Sequence, residues 1–350
     1  MVFKKTTKGT FLDPDKNPAL EKSDAAMLGI GFDLTASFAK GTANGPRAII
    51  EASRQVEYEV PTTGIRLDEK IKVHNLGLLE FSFPKKLSEK QIEKETRKMV
   101  NAGKEILQKA VHEKKFLVVF GGDHSTTNAA LEALAEKIDP KKICWLRLDA
   151  HLDLRNALED NPLSHGSIGR RIFDKGVKQV FVGIRDQISS EEAEFISEQG
   201  ISDEVFYCAT QPKKFYEKKM PTWLEKENIV FEGRLSDTQL EKIVSKLDRP
   251  YLFINIDIDC LDANDFSGTG TPMPFGFSTA QLNDFLYEIV MHAHKTGTKI
   301  LGFDIVEVFP ILKDHKKPYS AENVLFSSNE MKAALLAFNI LFWSFVERFK

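Results

Sequence analysis

The sequence predicts an α/β fold built on a parallel sheet covered on both faces. Two observations point there. Eight apolar runs of strand length recur between residues 25 and 306. Stretches with helical periodicity separate most of them. Apolar strands alternating with amphipathic helices are the pattern of a buried parallel sheet. No Pro/Ser-rich linker or internal repeat divides the chain. One domain is therefore expected over 25–350, preceded by a polar extended arm over 1–24 that carries Pro14 and Pro18.

Taken in order, residues 25–32 (AAMLGIGF) give the first strand. A loop of small polar residues, 33–44, follows it. A helix then opens at Gly45-Pro46-Arg47, with Pro46 suited to a first helical position. The second strand spans 71–79. Helical periodicity runs over 88–114, with no capping box assigned to its start. The third strand, 116–120 (FLVVF), runs into GGDHS. The fourth, 142–148 (KICWLRL), runs into DAHLD. A helix is expected over 164–175 with His165 in its first turn. The fifth strand, 179–184, precedes a helix over 190–199, and 204–207 is a short sixth strand. Residues 209–235 read as an irregular exposed insertion, and 236–247 as a helix. The seventh strand, 251–256, runs into DIDCLD. A loop rich in Gly, Pro and Thr covers 263–277. Ser278 is positioned to cap a helix over 278–294. The eighth strand, 299–306, ends at Glu307. A polar loop over 311–328 leads to a last helix, 329–349.

Composition limits the function classes. The chain has 350 residues, 42% hydrophobic and 28% charged, the usage of a globular protein. A formal net charge of −3 gives no electrostatic case for nucleic acid or a membrane surface. Cys144, Cys208 and Cys260 are an odd, widely spaced set in or beside apolar runs. Buried reduced thiols, and hence the cytoplasm, are expected. The N-terminal residues MVFKKTTKGTFLDPDKNP have no apolar core of a signal peptide. The apolar stretch 333–346 is too short to span a bilayer and reads as a core or subunit-contact helix.

The strand exits carry the chemistry. The third strand ends at Asp123-His124, the fourth at Asp149, His151 and Asp153, the seventh at Asp257 and Asp259, the eighth at Glu307. The spacing i, i+2, i+4 in DAHLD would point three side chains to one side of an extended backbone. Ligands of open parallel sheets bind beyond the carboxyl ends of the strands. Carboxylates gathered there repel one another and lose hydration, costs that divalent cations remove. Two His and four Asp suffice for two such ions sharing carboxylates. Oxygen-rich ligands with a minority of imidazole favour manganese over zinc or copper. Asp123 is expected behind the ligands rather than among them. Cys260 is expected to pack, His292 and His294 to lie at the surface, and His74, His112 and His315 carry no partner signal.

GGDHS, DAHLDLR, DIDCLD followed by SGTGTP, and DIVEVFP, in this order and spacing, resemble the motifs of the ureohydrolases: arginases, agmatinases and guanidino-acid hydrolases. The stretch GIGFDLTASFAKGTANGPRAIIEAS is most similar to the agmatinase branch. The resemblance covers about residues 25–310. It implies a three-layer α/β/α fold with an eight-stranded, mostly parallel sheet, a homo-oligomer (trimer or hexamer), and two manganese ions per chain. His124, Asp149, Asp153 and Asp257 would hold one ion. Asp149, His151, Asp257 and Asp259 would hold the other. It further implies hydrolysis of a guanidino compound to urea and an amine. Asp153 would orient the attacking hydroxide, Glu307 would pair with the guanidinium, and His165 would shuttle a proton to the leaving amine. Thr271 would orient the substrate or a group behind the metal ligands.

Agmatine is the expected substrate, with arginine or a guanidino acid such as guanidinobutyrate as alternatives. A non-catalytic scaffold on the same fold is the reading from another class, and the intact ligand set argues against it. Arginases carry Asn where this chain has Arg155. For Arg155 an ion pair within the acidic shell is expected ahead of a contact to a carboxylate tail. Glu159 and Asp160 are expected in solvent, with contact to a cationic tail as the alternative. Ala263 and Ser267 replace usual prolines, and PFGFS replaces a usual Gly-Gly pair.

Overall fold

The computed structural model describes residues 2–4, 17–84, 86–219, 224–314, 320, 323 and 329–346. Its strands are β1 (Val2–Lys4), β2 (Ala25–Gly31), β3 (Glu59–Val60), β4 (Ile65–Arg66), β5 (Val73–Glu80), β6 (Phe116–Gly121), β7 (Ile143–Leu148), β8 (Lys178–Ile184), β9 (Val205–Cys208), β10 (Ile229–Val230), β11 (Tyr251–Asp257) and β12 (Lys299–Val306). β3 and β4 form a separate hairpin; the rest form one sheet in the order β1-β5-β2-β6-β12-β11-β7-β8-β9-β10. Every neighbour in it is parallel except β1 against β5.

The period of two along each strand divides the core. Ala25 and Met27 of β2, with Val118 and Phe120 of β6, face one apolar cluster. That cluster is closed by helices Gly45–Ser53, Thr279–Thr296 and Asn329–Phe345. Ala26, Leu28 and Ile30, with Leu117 and Val119, face the other, closed by Glu89–His112, Thr127–Lys137 and Ile168–Asp174. A smaller cluster joins β8 and β9 to helix Ser190–Gln199 through Phe181, Val205 and Phe195. This is the three-layer α/β/α arrangement, and the eight expected strands are all present.

The sheet has ten strands rather than eight. The two additions are too short to show a period. Part of the expected arm is thus an edge strand, and Asn17 exchanges hydrogen bonds with the Asn75 backbone at 2.9 and 3.2 Å; residues 5–16 of the arm lie outside the described residues. Helix Thr127–Lys137 was not anticipated: seven of its eleven residues are buried, so no polar stripe marks it. The helix expected over 164–175 splits into a tight turn, His165–Ser167, and Ile168–Asp174. Glu89–His112 does begin with a capping box, Ser88 with Gln91. The segment expected to be irregular holds a helix, Lys213–Lys219, as well as β10; residues 220–223, His315 with most of 311–328, and residues 347–349 of the expected last helix lie outside the described residues. His294 is half-buried, not on the surface, and meets the Trp343 carbonyl at 2.9 Å. The three cysteines are buried and unpaired. Burial pushes the Cys144 and Cys208 thiols up to about 12.

Candidate active site

Four adjacent strands of the sheet, β6, β12, β11 and β7, end side by side, and their exits gather the acidic residues. β6 leaves through Gly121-Gly122, where a Cβ on Gly122 would collide with the Phe32 backbone. Asp123 then caps the turn His124–Thr126, its Oδ1 accepting the Ser125 N–H at 3.1 Å. Its Oδ2 accepts the Thr35 N–H at 2.9 Å and hydroxyl at 2.8 Å. Asp123 thus stands behind the ligand groups, as expected, and ties the 33–44 loop to them.

The DAHLD geometry differs from the extended expectation. β7 ends at Leu148, and Asp153 has a φ of +51°. The left-handed backbone, not the strand period, turns Asp153 back toward His124. Glu307 has a φ of +62°. Such conformations cost about 1–2 kcal/mol for an L-residue, and both fall on residues that line one cavity.

Two groups of potential cation ligands result: His124, Asp149 and Asp153, and Asp149, His151 and Asp259. Asp149 belongs to both. His124 Nδ1 lies 3.0 Å from Asp153 Oδ2, 3.0 Å from Asp257 Oδ2 and 3.4 Å from Asp149 Oδ2. His151 Nδ1 lies 3.0 Å from Asp259 Oδ2 and 3.6 Å from Asp149 Oδ1. Asp257 sits between the groups, since its Oδ1 accepts the Asp259 N–H at 3.0 Å.

The second layer fixes which atoms face inward. Asn255 Nδ2 donates to Asp304 Oδ1 at 2.7 Å, so its Oδ1 is turned to His124 Nε2 at 3.0 Å. Nε2 therefore carries the proton, and the Nδ1 lone pair points at three carboxylates. This nitrogen is buried without a hydrogen-bond partner. A lone pair aimed at carboxylate oxygens is repulsive unless a proton or a cation lies between them. The donor set, the orphaned nitrogen and the shared Asp149 fit a pair of divalent cations. Arg147, buried, offsets part of the negative charge: Nη2 donates to Asp149 at 2.6 Å and Asp153 at 3.0 Å.

Electrostatics match this crowding. Burial pushes Asp257 well above the usual carboxylate range, and the charges of Asp259 and Asp149 add to it. Burial also raises Asp153, but His124 and Arg147 outweigh it and hold the carboxyl at about 2. Burial would lower His124, yet Asp153 and Asp257 hold it well above its ordinary value. Glu307 is pushed well above its usual value by burial, then by Asp257 and Asp123. Its Oε1 accepts the His124 N–H at 2.8 Å.

A cavity of about 290 Å³ opens over these groups. His165 lines it, 3.3 Å from Ser37 Oγ through Nε2, and belongs to neither ligand group. Thr271 lines it too, and its hydroxyl donates to Asp259 Oδ2 at 3.0 Å, so it orients that carboxylate. Glu159 and Asp160 do not line it; Glu159 borders a separate recess with Thr35 and Asn161. Arg155 lines it, and among the described residues it has no ion pair of the kind expected. Sequence reasoning missed Arg185 and Asp186, which follow β8. Asp186 Oδ2 lies 3.5 Å from His151 Nε2. Arg185 ties its strand exit to the loop that follows Asp259, with Nη2 donating to the Asp259 carbonyl at 2.6 Å. The signal was available, because Arg-Asp follows an apolar run as the other exits do.

A family model for the arginase family matches residues 23–329. An N(1)-aminopropylagmatine ureohydrolase of Thermococcus kodakarensis is 29% identical over 290 residues, 82% of this chain and 83% of that one. An agmatinase of Bacillus anthracis is 28% identical over 302 residues, 85% of this chain and 88% of that one. The crystal structure of an agmatine ureohydrolase of Thermoplasma volcanium superposes with a TM-score of 0.65 at 22% identity, covering 95% of this chain and 94% of that one. That last likeness is one of fold.

Proposed function

Because the chain belongs to the arginase family and is a ureohydrolase of its agmatinase-like branch, a hydrolase of C–N bonds in amidines, we propose that it cleaves a guanidino compound to urea and an amine at a two-manganese centre. His124, Asp149, Asp153 and Asp257 would hold one ion, and Asp149, His151, Asp257 and Asp259 the other. The observation that carries this reading is the pair of His–carboxylate groups sharing Asp149, with His124 Nδ1 buried and orphaned against the carboxylates of its own group. Two divalent ions, when bound, supply a water acidic enough to attack near neutral pH and neutralise the carboxylates.

The chain's own residues do the rest. Glu307, fixed through Oε1 by the His124 N–H, offers Oε2 to the guanidinium and holds its carbon in reach of attack. Substrate charge stabilises the Glu307 carboxylate that burial disfavours. Asp153 orients the nucleophile. His165, outside the ligand groups, carries a proton to the departing amine nitrogen. Thr271 keeps Asp259 in place. The relatives' names make agmatine the reference substrate, with arginine and guanidino acids as alternatives. We also propose one catalytic domain from residue 25 onward, in a cytoplasmic homo-oligomer, trimer or hexamer. Exposed Tyr287 and Leu335 on the last two helices and three unpaired buried cysteines support that. Among the described residues no helix is long and apolar enough to cross a membrane.

The test is urea release from agmatine, arginine and guanidinobutyrate by chelator-treated protein, before and after manganese is restored. Restoration of activity by manganese is the expected result. Full activity in thoroughly metal-free protein, or no urea from any guanidino compound, would overturn the proposal.

A further inference from the structure

Besides the ligands, Glu307 and His165, the described wall of the cavity carries three charged side chains: Arg155, Asp186 and Glu192. Glu192 is committed to the backbone. Its Oε1 accepts the Leu154 N–H at 3.1 Å, and its Oε2 accepts the Ser189 N–H at 3.1 Å and hydroxyl at 2.7 Å. Asp186 turns Oδ2 toward His151 Nε2, on the opposite side of the ring from Nδ1. An imidazole whose Nδ1 faces the carboxylates and a cation carries its proton on Nε2, and Asp186 is placed to accept it.

Arg155 differs from both. Its backbone N–H donates to the Gly166 carbonyl at 3.2 Å, and a Cβ on Gly166 would stand 3.8 Å from Arg155 Cδ. The side chain therefore runs over the residue that follows His165. Its guanidinium has no hydrogen-bond or ion-pair partner among the described residues. Of the three it is the one with no polar side-chain contact among the described residues, and it is positive. The guanidinium end of a substrate is drawn to Glu307 and repelled by Arg155, so Arg155 acts on the opposite end. An ammonium there meets like charge, whereas a carboxylate meets a planar fork that can bind both its oxygens.

We propose that Arg155 selects a guanidino acid, a substrate whose far end is a carboxylate, over one that ends in an ammonium. The inference rests on the ureohydrolase reading and refines it. The experiment compares kcat and KM for guanidinobutyrate, agmatine and arginine in the manganese-loaded full-length protein, in Arg155→Gln and in Arg155→Lys. Metal content is measured in each. The expected result is a kcat/KM for guanidinobutyrate at least roughly tenfold above that for agmatine. Arg155→Gln should lower it roughly tenfold or more, mainly through KM, and raise the value for agmatine. Arg155→Lys should recover part of the loss, with metal content constant throughout. Agmatine or arginine preferred by the unaltered protein, or an equal loss on every substrate in Arg155→Gln, would overturn the assignment while leaving the reaction class intact. Absence of urea from all three would instead remove the reading beneath it.

Discussion

The two halves of the ligand cluster are built differently. The half around His124 is sealed: its imidazole is 1% exposed, and Asp257 and Asp153 are 5% and 9% exposed. Asn255, Asp304 and Arg147 hold it from behind. Both halves line the cavity, but the half around His151 is the more open, with that side chain 24% exposed and Asp186 beyond it 43% exposed. Both halves present one imidazole nitrogen to carboxylates about as far away. The difference therefore lies in what surrounds them. Polar contacts made out of reach of bulk solvent are stronger and more rigid than those with which solvent competes.

The change expected to do most damage removes what the halves share. Asp149→Ala should lower turnover by roughly three orders of magnitude, ~4 kcal/mol of barrier, with both ions lost on metal analysis. Retention of two ions per chain would show that Asp257 alone bridges. Next come the paired histidine changes. His124→Ala should leave protein that holds neither ion, whereas His151→Ala should retain one, read by metal stoichiometry after dialysis. Equal losses would erase the distinction between the halves. A smaller effect is expected from His165→Asn, about a hundredfold in turnover with metal content unchanged. Lost metal would reassign His165 as a ligand. The smallest effect belongs to neutralising Glu159 and Asp160 together. Neither side chain reaches the cavity, so KM for every substrate should stay within about twofold. A raised KM for agmatine alone would restore the cationic-tail contact.

Much of the sealed half was legible in the sequence, because its residues follow apolar runs directly. Asp123-His124 and Asp257 need only the strand period and the rule that ligands gather at the carboxyl edge. Asp153 was placed in the site for an incomplete reason: extended spacing does not bring it there, and a left-handed backbone does. Such a φ is set by the surrounding packing and leaves no mark on an Asp in a sequence. The more open half was less legible. Arg185 and Asp186 also follow an apolar run directly, but they offer a single carboxylate beside an Arg, without the repeated Asp and His that mark DAHLD and DIDCLD. Helix Thr127–Lys137 escaped notice because burial on most sides removes the polar face that periodicity detects. Phe275, in the PFGFS that replaces Gly-Gly, takes a φ of +68°, a conformation glycine adopts freely. Its N–H bonds Asp262 Oδ2 at 2.6 Å, which holds it there.

Arg185 braces one side of the cluster. Its guanidinium donates to six backbone carbonyls: Pro274 at 2.8 Å, Asp259 at 2.6 Å, Met273 at 2.9 Å, Leu261 at 3.0 Å, Gly183 at 3.3 Å and Cys260 at 3.4 Å. Each hydrogen bond from a charged donor is worth about 1.5–3 kcal/mol when its alternative is burial without a partner. Swinging the 259–274 loop outward would strip several at once, so that loop is a wall and not a door. The open edge of the cluster lies instead beside His151, whose side chain is 24% exposed where that of His124 is 1%. Approach from this edge meets one side chain rather than a braced loop.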